Sequence, residues 1–247
     1  EFLKKALPAG GSLSLNDVTN AYSTLLLTGP KSREILAGIS KGADLSSGWL
    51  THQDATVAGK PAKLFRISFA GELGWEIHTA FDDSPAVFDA VTAAGAKPFG
   101  MYALNSMRIE KGYRTWKGDL STDYTLLEGG IERFIRFEKP QDFPGKAALL
   151  SEKQQGSKKG FVTLIVDADF ADAPYMSTIW SGDTVVGETT SGDWGYRVNA
   201  SIALGMVRAE LATPGTELEV EIFGKRCKAV VQADEPLWDP ANERIRA

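Results

Sequence analysis

From Phe161 onward the chain is a succession of short runs cut by glycine or proline: Phe161–Val166, Ser177–Trp180, Thr184–Thr190, Ser201–Val207 and Glu217–Val231. Runs of this length, rich in β-branched residues and bounded by turn formers, are strands. A series of them with no helical period between them makes a small all-β barrel or sandwich. Leu218, Val220 and Ile222 alternate with Glu217, Glu219 and Glu221, so one face of that strand meets a core and the other meets water. Gly224-Lys225 reads as a hairpin tip ahead of Cys227–Val231. Gly192, Asp193 and Gly195 are turn formers and read as a turn around Trp194; the other reading makes Asp193 an acid against the Trp194 wall.

The preceding residues carry a different pattern. Phe2–Leu7 reads as a short amphipathic helix stopped by Pro8-Ala9-Gly10-Gly11. Asn20–Thr28 is a buried strand, Gly29-Pro30 turns the chain, and Lys31–Ile39 is a helix with Pro30 at its start. Lys63–Phe69 alternates as a strand. Pro85 opens a helix in which Val87, Phe88, Val91 and Ala94 recur at helical spacing, and Gly95 closes it. Strands around such helices predict an α+β unit. The polar stretch Ser151–Gly160 reads as a linker, which predicts two domains, 1–150 and 151–247.

Charge and composition narrow the partners. The net charge is −5 with no basic run, which argues against nucleic acid. No stretch is long and apolar enough for a membrane span or a signal-peptide core, so no membrane partner is expected. The single cysteine, Cys227, has no internal disulfide partner and fits a reducing compartment. The two histidines, His52 and His78, lack close Cys or His companions, so neither a metal site nor a Ser-His-Asp triad is expected.

Two stretches place charges inside otherwise apolar elements, where an unpaired charge costs several kcal/mol. The first, Ser68-Phe69-Ala70-Gly71-Glu72-Leu73-Gly74-Trp75-Glu76-Ile77, reads as strand, glycine turn and strand, with Trp75 and Ile77 on the face opposite Glu76. The second, Ala103-Leu104-Asn105-Ser106-Met107-Arg108-Ile109-Glu110-Lys111-Gly112, reads as a helix closed by Gly112. Each charge also has an ordinary reading: Glu76 as a strand carboxylate facing solvent, Arg108 as a surface arginine paired with Glu110. Phe69 and Trp116 offer stacking surfaces and are equally ordinary core material.

Together these stretches resemble the aminomethyltransferase (glycine-cleavage T-protein) family and the related C-terminal half of dimethylglycine and sarcosine dehydrogenases. Phe143-Pro144-Gly145-Lys146-Ala147-Ala148-Leu149, Thr190–Arg197 and Ser201–Val207 match further blocks of the family in the same order. The last two, with Trp116-Lys117-Gly118-Asp119-Leu120-Ser121, lie closer to the dehydrogenase-fused branch. The resemblance implies a ferredoxin-like, T-protein-type α+β unit followed by a small β-barrel, and it implies tetrahydrofolate as cofactor. It assigns folate contacts to Glu76, Arg108, Phe69 and Trp116. A carboxylate such as Glu76 can accept both the ring N–H and the exocyclic amine of a reduced pterin, and the arginine fork suits a carbonyl or carboxylate. Phe69 stands where the family often has tyrosine, so the stacking surface remains and the hydroxyl is lost.

The resemblance also places a catalytic aspartate upstream of everything matched, and Asp17 is not in position to replace it. Glu1-Phe2-Leu3-Lys4-Lys5 is not an initiator sequence. The chain is therefore expected to be a C-terminal piece that is inactive alone, with no catalytic residue assigned within it. In the dehydrogenase branch an upstream FAD domain oxidises an N-methylglycine, and the folate domain collects the amine-derived one-carbon unit as methylene-tetrahydrofolate. No FAD fingerprint occurs here, so FAD is expected only in an upstream domain. The implied compartment is the cytoplasm, or the mitochondrial matrix in a eukaryote. Three readings follow: a module of a dimethylglycine or sarcosine dehydrogenase-like protein; a piece of a glycine-cleavage aminomethyltransferase or folate-dependent demethylase; and a non-catalytic folate-binding module.

Overall fold

The computed structural model describes residues 1–247. They pack as two compact units, one made of Glu1–Ser68, Glu72–Pro98 and Arg244–Ala247, the other of Phe69–Gly71 and Phe99–Glu243.

The first unit begins with α1 (Phe2–Lys5) and continues through β1 (Tyr22–Thr28), α2 (Ser32–Ile39), β2 (Ser40–Lys41), β3 (His52–Val57), β4 (Lys60–Phe65), β5 (Gly74–Ala80) and α3 (Ser84–Ala93). The strands form one antiparallel sheet in the order β1-β5-β4-β3-β2. Side chains alternate across a strand, so Trp75 and Ile77 of β5 turn into the core with Leu27 of β1 and Leu64 of β4. Leu36 of α2 and Val87 and Val91 of α3 are buried in the same cluster. Glu76 and His78 take the opposite face, as period two requires. Pro85 lies in the first turn of α3, where its missing N–H has no partner to lose.

Two strands escape the sequence reading. In β3 only Ala55 and Val57 are apolar, so the alternation is weak, and β2 is two residues long. The tight turn joining β3 to β4 uses Ala58 and Gly59 at φ 51° and 76°, the left-handed pair that two-residue hairpins need. The strand expected over Lys63–Phe69 starts earlier and ends at Phe65. There Arg66 turns inward, 2 % exposed, with its guanidinium 4.7 Å from the Trp75 ring centre and 6.0 Å from that of Trp49. Its Nη atoms donate to the carbonyls of Gly74, Ile245 and Ala247.

The second unit holds α4 (Met101–Ile109), α5 (Lys146–Gln155) and six strands: β6 (Lys159–Val166), β7 (Thr178–Ser181), β8 (Thr184–Gly195), β9 (Ala200–Arg208), β10 (Glu217–Ile222) and β11 (Lys225–Val231). These close into an antiparallel barrel in the order β10-β11-β6-β9-β8-β7. Closure removes the exposed strand edges that invite aggregation. Leu164, Ile179, Val220 and Ile222 fill its interior with no solvent exposure. A separate cluster of Ile109, Ile202 and Leu204 packs α4 against the barrel wall, with Phe161 and Ile165 beside it.

Within the second unit Ile109 of α4 belongs to the barrel's outer cluster. Two sequence expectations change here. The supposed linker Ser151–Gly160 is the end of α5 and the start of β6, a polar helix whose buried face is too small to read as a period. The supposed turn at Gly192–Gly195 is strand: Gly192 pairs with Ala203 and Asp193 with Ile202. Gly192 is required by close approach, since a Cβ there would collide with the Ala173 carbonyl.

Leu164→Ala is expected to cost about 2–5 kcal/mol in chemical denaturation, because a fully buried side chain leaves a cavity in a closed barrel. Val230→Ala, on the outer face of β11, should cost well under half of that.

Candidate functional site

In the first unit Glu76 sits at mid-strand in β5, opposite Leu26 of β1 and Phe65 of β4. Its side chain is 31 % exposed on the face opposite Trp75 and Ile77. Oε2 lies 3.0 Å from Nε2 of His78, two residues along the same face. On its other side His78 Nδ1 meets Thr24 Oγ1 at 3.1 Å, and its ring lies 4.7 Å from that of Phe65. Oε1 of Glu76 takes no hydrogen bond from the protein. The carboxylate is therefore held at one oxygen and open at the other. The predicted position of Glu76 across the strand from Trp75 and Ile77 is the one observed.

In the second unit the end of α4 carries Arg108, Glu110 and Lys111, each at most 4 % exposed and each paired. Arg108 donates from Nη1 to the Tyr113 carbonyl at 3.1 Å and to Asp119 Oδ2 at 2.8 Å, and from Nη2 to Ser191 Oγ at 2.7 Å. It is an interior residue bound to Asp119, not a surface arginine paired with Glu110. Burial lowers its pKa from the ordinary arginine value, and Asp119 opposes that shift. Its Nε remains buried with no partner.

Asp119 has no solvent exposure and accepts from every side. Thr190 Oγ1 and Ser191 Oγ donate to Oδ1 at 2.5 and 2.8 Å. The backbone N–H and hydroxyl of Thr115 donate to Oδ2, alongside Arg108. This carboxylate joins α4, the Tyr113–Leu120 loop and β8. The same loop carries Trp116, a residue 71 % exposed whose backbone bridges to Leu120. Phe69 stacks on Tyr113 with ring centres 6.1 Å apart and planes 18° from parallel.

Glu110 accepts from the backbone N–H and Nε of Arg197, whose guanidinium lies 3.7 Å above the Trp238 ring centre and also donates to the Ala70 and Met107 carbonyls. Lys111 donates to the carbonyls of Trp238 and Asp239 and to Asn242 Oδ1. Its methylenes lie where a Cβ on Gly71 would be, and Gly71 has φ 78°, so both space and backbone require glycine in this turn.

The four predicted ligand residues thus divide between the units: Glu76 in the first, Phe69, Arg108 and Trp116 in the second. Sequence reading missed Asp119, Ser191 and Arg197, although all three lie inside blocks that it singled out. A buried arginine needs a carboxylate, and Asp119 was the acid in the adjoining loop. The cavity of ≈ 740 Å³ around Arg133, Arg136 and Lys139 includes none of the predicted residues. No helix is long and apolar enough to cross a membrane, and no group of three His, Cys, Asp or Glu residues is placed to hold a metal ion.

Asp119→Ala is expected to destabilise the protein by about 3–5 kcal/mol in chemical denaturation, because it strands the buried Arg108 and three hydroxyls. A loss below about 1 kcal/mol would show that the network does not hold these elements together.

Two family profiles match the chain: the GCVT N-terminal domain over residues 1–139 and the glycine cleavage T-protein C-terminal barrel domain over residues 159–239. Mitochondrial dimethylglycine dehydrogenase of Homo sapiens is 35 % identical over 98 % of this chain, which spans 29 % of that protein. Mitochondrial sarcosine dehydrogenase of Mus musculus is 33 % identical over 94 % of the chain and 26 % of its own length. An aminomethyltransferase of Listeria monocytogenes is 31 % identical over 90 % of the chain and 61 % of its own length. The crystal structure of aminomethyltransferase T from Bartonella henselae superposes with a TM-score of 0.79 at 22 % identity, covering 89 % of this chain and 60 % of that one, a likeness of fold. The chain therefore spans less than a third of the two dehydrogenases and under two thirds of the aminomethyltransferases.

Proposed function

The chain belongs to the glycine cleavage T-protein family, and from that premise we propose that it is a tetrahydrofolate-binding module for one-carbon transfer within a dimethylglycine or sarcosine dehydrogenase-like protein. The observation that carries this reading is Glu76: a part-exposed carboxylate on the sheet face opposite the core, fixed at one oxygen by His78 and open at the other. A reduced pterin presents two adjacent donors, and a carboxylate with free lone pairs on both oxygens answers both with charge-assisted hydrogen bonds.

Arg108 enters the reading through its hold on the loop that carries Trp116, since its Nη atoms are engaged by Tyr113, Asp119 and Ser191 and its Nε is buried. Trp116 and Phe69 supply aromatic faces, Trp116 exposed and Phe69 backed by Tyr113. The proposed part of each residue is to bind and orient, Glu76 within the first unit and the other three within the second. When bound, tetrahydrofolate supplies the nitrogen that accepts the one-carbon unit. None of the four is assigned the proton transfer, and FAD chemistry is proposed for the whole protein outside this module. The dehydrogenase parent is favoured over an aminomethyltransferase because its match covers more of the chain at higher identity. The compartment follows the relatives named as mitochondrial, as part of the same proposal.

Glu76→Gln is expected to weaken tetrahydrofolate binding roughly ten- to a hundred-fold, the loss of about 1.5–3 kcal/mol for hydrogen bonds to a charged group. Calorimetric titration reads this directly, and a folded variant with wild-type affinity would reject Glu76 as the ligand. Arg108→Lys keeps the charge but cannot hold Tyr113, Asp119 and Ser191 at once, so among variants shown to be folded it should lose most of the affinity that Arg108→Ala loses; wild-type binding by a folded lysine variant would remove Arg108 from the proposal.

A further inference from the structure

We infer that His78 is the positioning residue for Glu76, holding the carboxylate in one orientation so that its free oxygen is presented before any ligand arrives. The inference rests on the proposed role of Glu76 and adds a residue to it. The geometry fixes the imidazole from three sides. A carboxylate only accepts, so the His78 nitrogen 3.0 Å from Glu76 Oε2 carries the hydrogen and donates it. In the neutral ring Nδ1 is then an acceptor, and Thr24 Oγ1 at 3.1 Å donates to it. The ring of Phe65, 4.7 Å away and tilted by 58°, closes the third side.

The remaining charged groups on this face do not compete for the imidazole. Lys63, directly opposite His78 in the β4 register, is bound to Asp54 at 2.7 Å, and His52 lies against Phe65 on β3. Glutamate is among the side chains with most rotamer freedom to lose on binding. An exposed glutamate with no neighbour would have to be ordered by the ligand, whereas this one is ordered by the protein. Period two along β5 brings this about: residues 76 and 78 must share a face, with Trp75, Ile77 and Thr79 buried on the other.

The test compares His78→Phe, which keeps a ring against Phe65 and loses both nitrogens, with His78→Gln, whose amide can still donate to Glu76. By calorimetric titration with tetrahydrofolate, His78→Phe should bind roughly five- to ten-fold more weakly, and His78→Gln within about twofold of wild type, as the loss and retention of one hydrogen bond require. In a Glu76→Gln background His78→Phe should cause no further loss, since its effect runs through the carboxylate. Without ligand, the Glu76 carboxyl ¹³C resonance should shift in His78→Phe and stay near its wild-type position in His78→Gln. Equal affinity and an unmoved resonance in His78→Phe, or the same loss in the Glu76→Gln background as alone, would overturn the inference. Failure of the Glu76 reading is separate: there Glu76→Gln itself would bind like wild type.

Discussion

The barrel unit depends on one buried carboxylate. Asp119 accepts from Arg108 on α4, from Thr115 in its own loop and from Thr190 and Ser191 on β8. A charge with no solvent exposure survives only if its lone pairs are answered, and here they are. The arrangement fixes where α4 ends relative to the barrel wall and sets the course of the loop bearing Trp116. The adjoining residues repeat the device: Glu110 is held by Arg197 and Lys111 by the Trp238–Asn242 segment. Three charges in four residues of one helix end thus tie together segments far apart in sequence through directional contacts.

The sheet unit obtains its candidate ligand by a simpler rule. Alternation along β5 buries Trp75, Ile77 and Thr79 and leaves Glu76 and His78 part-exposed on the opposite face. The same alternation that builds the hydrophobic layer against α2 and α3 therefore delivers a carboxylate with one oxygen held and one free. A shift of one residue in the register of β5 would bury the charge and expose Trp75.

Much of the fold was legible in the sequence because its signals are local. The strands of the barrel, the helices after Pro30 and Pro85 and the placement of Glu76 opposite Trp75 each follow from period and turn chemistry. What escaped was set by tertiary packing. β3 carries too few apolar residues to alternate visibly, and β4 stops where Arg66 finds the faces of Trp49 and Trp75. Gly192 and Asp193 look like a turn in sequence, yet the barrel needs a glycine there for the approach of the Ala173 carbonyl. Arg108 was legible as a charge requiring a partner, but its choice of Asp119 over Glu110 depends on the fold of the Tyr113–Leu120 loop. His78 was set aside as lacking metal-ligand companions, although its partner was the glutamate two residues earlier.

In the proposed site Glu76 receives the ligand with its free oxygen and with the remaining lone pair of the oxygen held by His78. This is tested most directly by following the Glu76 side-chain carboxyl ¹³C resonance while the protein, labelled at glutamate, is titrated with tetrahydrofolate. The resonance should shift and saturate with the same dissociation constant as binding measured by calorimetry. Saturable binding that leaves the Glu76 resonance unmoved would contradict it.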